Sequence, residues 1–361
     1  MSRTIIHIGL HKTASTFIQK TIFRMNSDLL NYIYNPKQIF DLLIPVFEFE
    51  FDSEEWIESL RDAYKQWRKE NPSQTLLLSS ESLSQLLYTQ DFEKKISLLT
   101  EIFGEIELIV VLRNQVDWMH SVYRETLKSG DYQSLSEFIG YDPCRGDIRP
   151  SESRFNNEGL LTMDPSKSNW HQLVLCCTSN PLVYKCNVLF YEELKSEQEK
   201  FLRSIVTILD LATAKMPLVK FEEKPLNKGI SGGGILFLLG VSSFFHKFGL
   251  KKGYYRQQNR QRTIMARGVS RYLAWRDRRI TGFELVVREW ARLWKKISLY
   301  SMIVWLDSFM PKRFHHLKYD PHIDNIDRLV FEMHKDANEK LFRLLNREVV
   351  IPYCRERKNE D

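Results

Sequence analysis

The chain has 361 residues, of which 43% are hydrophobic and 27% are charged, which is typical of a folded protein and excludes a disordered or fibrous one. A single core stops growing at roughly 250–300 residues, so the length permits one large α/β domain with an appendage, or two domains. The net charge of +6 favours anionic partners such as nucleotides, acidic glycans or anionic lipid. The five cysteines form no C-x-x-C pair and are odd in number, which argues against a metal site or a disulfide framework.

The N-terminus and the apolar runs indicate a cytoplasmic protein. Because a strand-like run occupies residues 4–8, we expect no secretory leader. The longest apolar runs, at residues 234–245 and 297–310, are shorter than the ~20 residues that span a bilayer.

Strand and helix patterns alternate through the first half of the chain. Strands are predicted in four apolar runs, at residues 4–8, 75–80, 105–112 and 187–191. Helices are predicted after them, at residues 15–25, 116–128 and 194–211. The continuous apolar run of the third strand suits a strand buried on both faces. The alternation predicts an α/β fold of the P-loop-like kind, a three-layer parallel sheet flanked by helices.

The composition changes twice along the chain. Residues 1–230 are expected to form the core, with a proline- and glycine-containing, loop-rich insertion at 131–165. Glycines at 229 and 232–234 predict a flexible loop at 228–234. Beyond it, residues 231–361 are expected to form a mainly helical extension packed on the core.

A loop at residues 9–16 joins the first strand to the first helix. Such a loop presents backbone N–H groups and the positive end of the helix dipole. Lys12 adds a positive charge, and Thr13, Ser15 and Thr16 add hydroxyl groups, so the loop suits a phosphate or a sulfonate. It lacks the second glycine of the Walker A pattern. The alternative is a helix capped by Thr13 or Ser15.

A second anion-binding element is predicted at the end of the third strand. Arg113 follows that strand directly, at the sheet edge where open α/β folds bind ligands. Its planar guanidinium can bind a phosphate through two bonds. Ser121 lies about two turns into the next helix and can flank the same anion. The alternative is an ordinary Arg113–Asp117 pair.

The two elements resemble those of sulfotransferases that use 3′-phosphoadenosine 5′-phosphosulfate (PAPS). In that family the 5′-phosphosulfate loop reads K-[TS]-[GA]-[TS]-[TS], and this chain reads KTAST from Lys12 to Thr16. The family's 3′-phosphate element is a strand ending in Arg with a Ser eight positions later, as in Arg113 and Ser121. Ala14 stands where the family usually has Gly.

The resemblance covers residues 4–230 and includes two further segments. Residues 188–194 are similar to the family's strand and "YEDL" turn, and residues 79–83 to the "SSE-L" segment of bacterial members. The chain departs from the family pattern at Gln115, because the family usually has Pro after Arg-Asn.

The resemblance implies a metal-independent transfer of a sulfonate group from PAPS to a hydroxyl or amine. Lys12, with the N–H groups of residues 12–16 and the Thr16 hydroxyl, would stabilise the leaving 5′-phosphate, and Arg113 with Ser121 would hold the 3′-phosphate. We also expect Lys228 and Gly229, with Asn227 and Ser231, to close over the nucleotide. This expectation rests only on their position in the sequence.

The acceptor needs a general base. Glu81 follows the second strand and is favoured over His11, which lies beside Lys12. The alternative for Glu81 is a charge at a helix N-terminus, and for His11 it is a hydrogen bond to the phosphosulfate. His120 is expected on the surface of its helix, and Trp170 in the core.

The C-terminal region mixes basic and aromatic residues from residue 247 to 294. Such a pattern can mark an anionic glycan, a lipid surface or nucleic acid, and the alternative is a solvated helical face. Together with the glycan-sulfotransferase-like TAST sequence, it favours a carbohydrate or glycolipid acceptor, a contact with the inner face of a membrane, and no nucleic acid.

Two other functions stay open from the sequence. An ATP-dependent P-loop kinase would need ATP and Mg²⁺, and the missing Walker signatures count against it. A nucleotide-binding protein without catalysis would keep the same two elements.

Overall fold

The computed structural model describes residues 3–24, 32–48, 54–84, 89–150, 160–211, 230–247 and 299–347. The chain divides into two compact units. The first comprises Met1–Trp118, Ser166–Leu226 and Val330–Asp361, and the second comprises Met119–Pro165 and Asn227–Leu329. The boundary near residue 230 that the sequence suggested stays a prediction.

The first unit contains the parallel sheet that the sequence predicted, with five strands where the sequence indicated four. Its strands are β1 Thr4–His7, β2 Tyr32–Tyr34, β3 Thr75–Ser79, β4 Ile106–Leu112 and β5 Val183–Phe190. Their order across the sheet is β2-β3-β1-β4-β5, and every pair is parallel. All seven residues of β4 are buried, which confirms the expectation from its continuous apolar run.

Helices flank this sheet and continue into the second unit. The α-helices of the described residues are α1 Ser15–Ile18, α2 Lys37–Glu48, α3 Glu54–Glu70, α4 Thr89–Phe103, α5 Gln115–Ser129, α6 Leu135–Ile139, α7 Trp170–Ser179, α8 Tyr191–Ser196, α9 Gln198–Ile208, α10 Gly232–Lys247, α11 Leu299–Asp307 and α12 Ile323–Leu344. A π-helical turn, Gln19–Phe23, extends α1. None of the described helices is both long and apolar enough to cross a bilayer.

The strand order creates a switch point beside β1. The chain passes from β1 to β2 and β3 on one side of the sheet, and then to β4 and β5 on the other side. In open α/β sheets, ligands bind at the carboxyl ends of the strands where the direction of winding changes. The loops after β1, β3 and β4 therefore share the edge at which a ligand is expected.

One face of the sheet carries a continuous apolar core in the first unit. Buried side chains from the strands, such as Ile5 and Val111, pack with Ile18 and Ile22 of the first helical segment and with Phe201 of α9. Burial of this area stabilises the sheet by roughly 25 cal/mol per Å² of apolar surface. The core thereby fixes β1 and the helical segment on either side of the loop at residues 8–14.

His120 is buried in the second unit, so its predicted place on the helix surface is wrong. Its Nδ1 is hydrogen-bonded to the Tyr319 hydroxyl, and its Nε2 lies 2.7 Å from Oδ1 of Asp327. The local sequence of α5 could not show that residues about 200 positions later cover His120.

The predicted flexible loop at residues 228–234 is also partly wrong, because Gly232, Gly233 and Gly234 form the first turn of α10. A Cβ on Gly232 would lie 1.9 Å from the Leu317 carbonyl oxygen, and one on Gly233 would lie 2.7 Å from that of Phe314. The glycines therefore allow close backbone packing and do not act as a hinge. Residues 221–229 lie outside the described residues.

Ser231 caps α10. Its hydroxyl accepts a hydrogen bond from the Gly234 N–H at 3.1 Å, and its own N–H donates to Oδ2 of Asp307 at 3.0 Å. A hydroxyl at this position satisfies a donor in the first turn. The hydroxyl is therefore a cap, and the expectation that Ser231 closes over the nucleotide stays a prediction.

The glycine packing makes a direct prediction about stability. Gly232→Ala should lower the free energy of unfolding by about 1–3 kcal/mol, because the new methyl group has no room. Gly240→Ala is the matched control in the same helix, where a Cβ would meet nothing within 4 Å. It should raise the free energy by roughly 0.5–1 kcal/mol. Urea denaturation of both variants checks this, and equal effects would contradict the packing argument.

Candidate functional site

The loop after β1 is held in an unusual backbone conformation. Lys12 has φ 67° and Ala14 has φ 65°, whereas Thr13 between them does not have a positive φ. A left-handed conformation costs an L-residue with a side chain about 1–2 kcal/mol, and such strain concentrates at functional sites. Alternating backbone handedness turns successive N–H groups towards one point, as in anion-binding nests. The left-handed conformation of Ala14 favours glycine, which is the usual residue at this position in the loops that this one resembles.

The floor of this loop is Gly9 packed on His7. A Cβ on Gly9 would lie 2.4 Å from Oγ of Ser15 and 2.6 Å from Cε1 of His7, so only glycine fits. His7 is fully buried, and its Nδ1 lies 2.7 Å from Oγ of Ser79. Burial lowers the pKa of His7 from 6.5 to about 4, although the Glu81 carboxylate opposes this. The imidazole beneath the loop is therefore neutral at pH 7.

Two of the predicted binding residues turn their hydroxyl groups inward. Thr13 Oγ1 donates to the Leu10 carbonyl oxygen at 2.7 Å, and Ser15 Oγ donates to the same oxygen at 3.4 Å. They stabilise the loop, so any contact of theirs with an anion would use backbone N–H groups. The N-cap of α1 is Ala14, which makes no side-chain cap. The alternative of a helix capped by Thr13 or Ser15 is therefore wrong.

Arg113 connects the end of β4 to this loop. Its Nη1 donates to the Lys12 carbonyl oxygen at 3.1 Å, across 101 residues of sequence. Its guanidinium carbon lies 4.6 Å from the centre of the Tyr191 ring, an arrangement that orients the planar group. The structure thus places Lys12 and Arg113 in contact, at the sheet edge where the sequence predicted both.

Two buried indoles hold the backbone on either side of this contact. Trp118 Nε1 donates to the His11 carbonyl oxygen at 2.8 Å, and Trp170 Nε1 donates to the Arg113 carbonyl oxygen at 2.7 Å. The two rings meet edge to face with centroids 5.2 Å apart. Trp170 is fully buried, as predicted. The role of Trp118 was missed, because a single Trp in a helix gives no signal beyond burial.

The segment Tyr191–Ser196, which resembles the "YEDL" turn, belongs to the same edge. Tyr191 supplies the ring beneath Arg113. Glu192 Oε1 accepts a hydrogen bond from the Asn114 N–H at 3.0 Å. Asn114 Oδ1 in turn accepts from the N–H groups of Val116 and Asp117 and caps α5. The resemblance marked this segment without giving it a task, and the structure shows that it fixes the turn that carries Arg113.

His11 and Glu81 meet at the same edge. His11 Nδ1 lies 3.1 Å from Glu81 Oε2, and the two side chains are 43% and 33% exposed. Burial alone would raise the pKa of Glu81, but the hydrogen bond from His11 and the positive charges of His11 and Lys12 lower it below its usual value. Glu81 is therefore an ionised carboxylate that accepts from Nδ1, which leaves Nε2 of His11 as the basic nitrogen. From the sequence the two residues are rival candidates for the base, and the structure pairs them.

Gln115 stands where the resembling sulfotransferases usually have Pro. Its side-chain amide pairs with that of Asn338 in a buried position. Its Nε2 donates to Asn338 Oδ1 at 2.8 Å, and Asn338 Nδ2 donates back to Gln115 Oε1 at 3.1 Å. Proline could make neither bond. This departure from the family pattern therefore ties the start of α5 to α12 within the first unit.

The remaining predicted residues are placed as follows. Thr16 is exposed in the first turn of α1. Ser121 lies about two turns into α5 and is half-buried; its share in a phosphate site stays a prediction. Lys228 and Gly229 lie outside the described residues. Among the described residues, no group of three or more His, Cys, Asp or Glu side chains could hold a metal ion.

Comparisons with known proteins give a similarity in structure and none in sequence. No protein-family model matches the chain, and no curated protein matches it in sequence. Among solved structures, the crystal structure of a sulfotransferase from Alicyclobacillus acidocaldarius has a TM-score of 0.41 and 14% identity, and the match covers 71% of this chain and 96% of that chain. A similarity of this size gives no basis for assigning a function, which depends on the geometry of the site.

The buried His7 predicts a pH-dependent stability. Below pH 6.5 an unfolded chain takes up a proton on His7, whereas the folded protein does so only near pH 4. The stability is therefore present above pH 6.5 and is lost as the pH falls through this window, by up to about 3 kcal/mol. Denaturant unfolding from pH 7 to pH 4 should show a smaller loss for His7→Gln than for the wild type. Equal slopes for the two proteins would show that His7 does not titrate in this way.

Proposed function

We propose that this protein is an enzyme that transfers a sulfonate group from PAPS to an acceptor hydroxyl or amine. The observation that carries the proposal is the hydrogen bond from Arg113 to the Lys12 carbonyl. It brings two elements that each suit an anion to one edge of the sheet. A nucleotide phosphorylated at both the 5′ and 3′ positions has two anions at a fixed separation, and two neighbouring sites suit it better than they suit a single phosphate.

The loop would bind the 5′-phosphosulfate through the N–H groups of residues 12–16. The left-handed conformations of Lys12 and Ala14 support this role, because they aim backbone donors at one place. The chain would bind the 3′-phosphate through Arg113, whose fork of N–H donors matches a phosphate. Ser121 is proposed as its second ligand, and Lys228 and Gly229 are proposed to cover the nucleotide.

Lys12 would also stabilise the negative charge that develops on the leaving group. PAPS supplies the sulfonate group, and the S–O bond to its 5′-phosphate breaks as the acceptor oxygen or nitrogen forms a new bond to sulfur. A positive charge fixed beside the loop stabilises the negative charge that develops on the leaving phosphate, with the exposed Thr16 hydroxyl as a further donor. This task needs positioning and charge and no protein-bound metal.

His11, with Glu81 behind it, is the proposed base for the acceptor proton. The hydrogen bond between them directs Nδ1–H to the carboxylate and leaves Nε2 to take the proton. Glu81 itself is a weaker base than an isolated carboxylate, because its pKa is lowered. We therefore assign the base to His11 and give Glu81 the task of positioning it, which reverses the preference drawn from the sequence.

The acceptor proposed is a carbohydrate or a glycolipid, and the reaction is proposed to occur in the cytoplasm. The net charge of +6 and the form of the loop sequence support an anionic or glycan-bearing acceptor. Fold alone does not determine the acceptor. Incubation with labelled PAPS and a panel of carbohydrates and glycolipids tests the activity, with ATP and Mg²⁺ as the comparison for a kinase. Transfer from PAPS supports the proposal, and transfer from ATP alone would overturn it.

Mutations in the two proposed anion-binding elements should have different effects. Arg113→Ala should weaken binding of adenosine 3′,5′-bisphosphate by about 10- to 100-fold, the effect of losing charged hydrogen bonds. Lys12→Ala should lower kcat by on the order of 10²–10³ with a smaller loss of binding. Arg203→Ala, an exposed arginine of α9 paired with Glu199, is the control and should change neither. Calorimetry and steady-state rates measure both effects, and an unchanged rate in Lys12→Ala would remove its assigned role.

The His11–Glu81 pair can be separated from nucleotide binding. His11→Ala should lower kcat by about 10²–10⁴, as expected for loss of a general base, and added imidazole should restore part of the rate. Glu81→Gln should lower kcat less and should not respond to imidazole, because the imidazole of His11 is still present. Both variants should still bind adenosine 3′,5′-bisphosphate. A large loss in Glu81→Gln with a nearly normal rate in His11→Ala would make Glu81 the base.

A further inference from the structure

Helix α10 of the second unit exposes an apolar row. Leu236, Phe237 and Phe244 are 40%, 45% and 57% exposed. They lie on one side of the helix together with the exposed Gly240 and Lys247, at spacings of three, four and seven residues that repeat on a helix. The opposite side, with Ile235 and Leu238, is fully buried. The helix therefore carries apolar side chains on both sides, and those on one side are more than one third exposed to solvent.

Helix α11 and the turn after it expose a second row. Met302, Trp305 and Phe309 are 52%, 62% and 70% exposed, at spacings of three and four residues. The rings of Trp305 and Phe309 contact each other edge to face, with centroids 5.0 Å apart. Ile303, on the other side of the helix, is fully buried. Single exposed apolar residues are ordinary, but rows of this kind mark interaction sites.

The two helices are neighbours in the second unit. Ser231 at the start of α10 is hydrogen-bonded to Asp307 at the end of α11. Gly234 packs so close to Asp307 that a Cβ there would lie 2.6 Å from the carboxylate. We call the six exposed side chains the apolar surface: Leu236, Phe237, Phe244, Met302, Trp305 and Phe309.

The charge of the chain that continues from α10 indicates what the apolar surface meets. From residue 247, the last residue of α10, to residue 276, the sequence contains nine Lys or Arg and no Asp or Glu. Cation-rich segments that adjoin an apolar helix in sequence are typical of proteins that bind anionic lipid. A second copy of this chain would bring the same positive charges together, which disfavours association.

We propose that the second unit docks on an anionic lipid bilayer through the apolar surface. Aromatic and aliphatic side chains would enter the boundary between headgroups and acyl chains, where burial removes apolar area from water. The cations would add electrostatic attraction that weakens with salt. This inference does not depend on the proposed enzymatic activity.

Co-sedimentation of the full chain with vesicles tests the proposal. The wild type should bind vesicles of phosphatidylcholine mixed with phosphatidylglycerol more strongly than vesicles of phosphatidylcholine alone, and less strongly at high salt. The double variant Trp305→Ser/Phe309→Ser should bind the anionic vesicles about tenfold more weakly. The control Tyr184→Ser removes an aromatic ring that is 73% exposed on β5 of the first unit and should bind like the wild type.

A second pair of substitutions shows whether a loss of binding comes from misfolding of one variant. Phe237→Ser/Phe244→Ser on α10 should give the same loss, and circular dichroism checks that each variant is folded. The proposal is overturned if folded variants of both helices bind anionic vesicles as the wild type does, or if the wild type does not bind them. It is also overturned if the wild type forms a dimer that the variants do not form, because the apolar surface would then be a protein interface.

Discussion

The hydrogen bond from the Arg113 guanidinium to the Lys12 carbonyl is the interaction on which the candidate site depends. It joins the carboxyl ends of two adjacent parallel strands and requires the loop after β1 to turn a carbonyl towards β4. The left-handed backbone at Lys12 and Ala14 is compatible with that turn, and Gly9 gives the loop room above His7. Without this link, a lysine loop and an arginine turn would be two separate features of a common fold.

The surroundings of this hydrogen bond hold its two backbone segments in place. Trp118 and Trp170 bind the carbonyl groups of His11 and Arg113 and contact each other. Tyr191 supports the guanidinium from one side. A site held by packed aromatic rings and short hydrogen bonds is preorganised for a charged ligand, and preorganisation is what gives electrostatic stabilisation its value in catalysis.

Local sequence patterns predicted four of the five strands and the edge of the sheet that Lys12 and Arg113 share, because these features depend on neighbouring residues. The continuous apolar run of β4 and the strand–loop–helix arrangement around Lys12 are visible in short windows, and parallel order brings their ends together. The burial of His120, the Gln115–Asn338 pair and the packing of Gly232 depend on partners about 85 to 220 residues away. The inward turn of the Thr13 and Ser15 hydroxyls depends on the exact backbone of the loop. No periodicity carries either kind of information.

The most direct test of the central claim is a crystal structure of the protein with adenosine 3′,5′-bisphosphate. The account predicts the 5′-phosphate against the N–H groups of residues 12–16 and the 3′-phosphate within hydrogen-bond distance of Arg113. A nucleotide bound elsewhere, or one whose two phosphates both avoid Lys12 and Arg113, would contradict it.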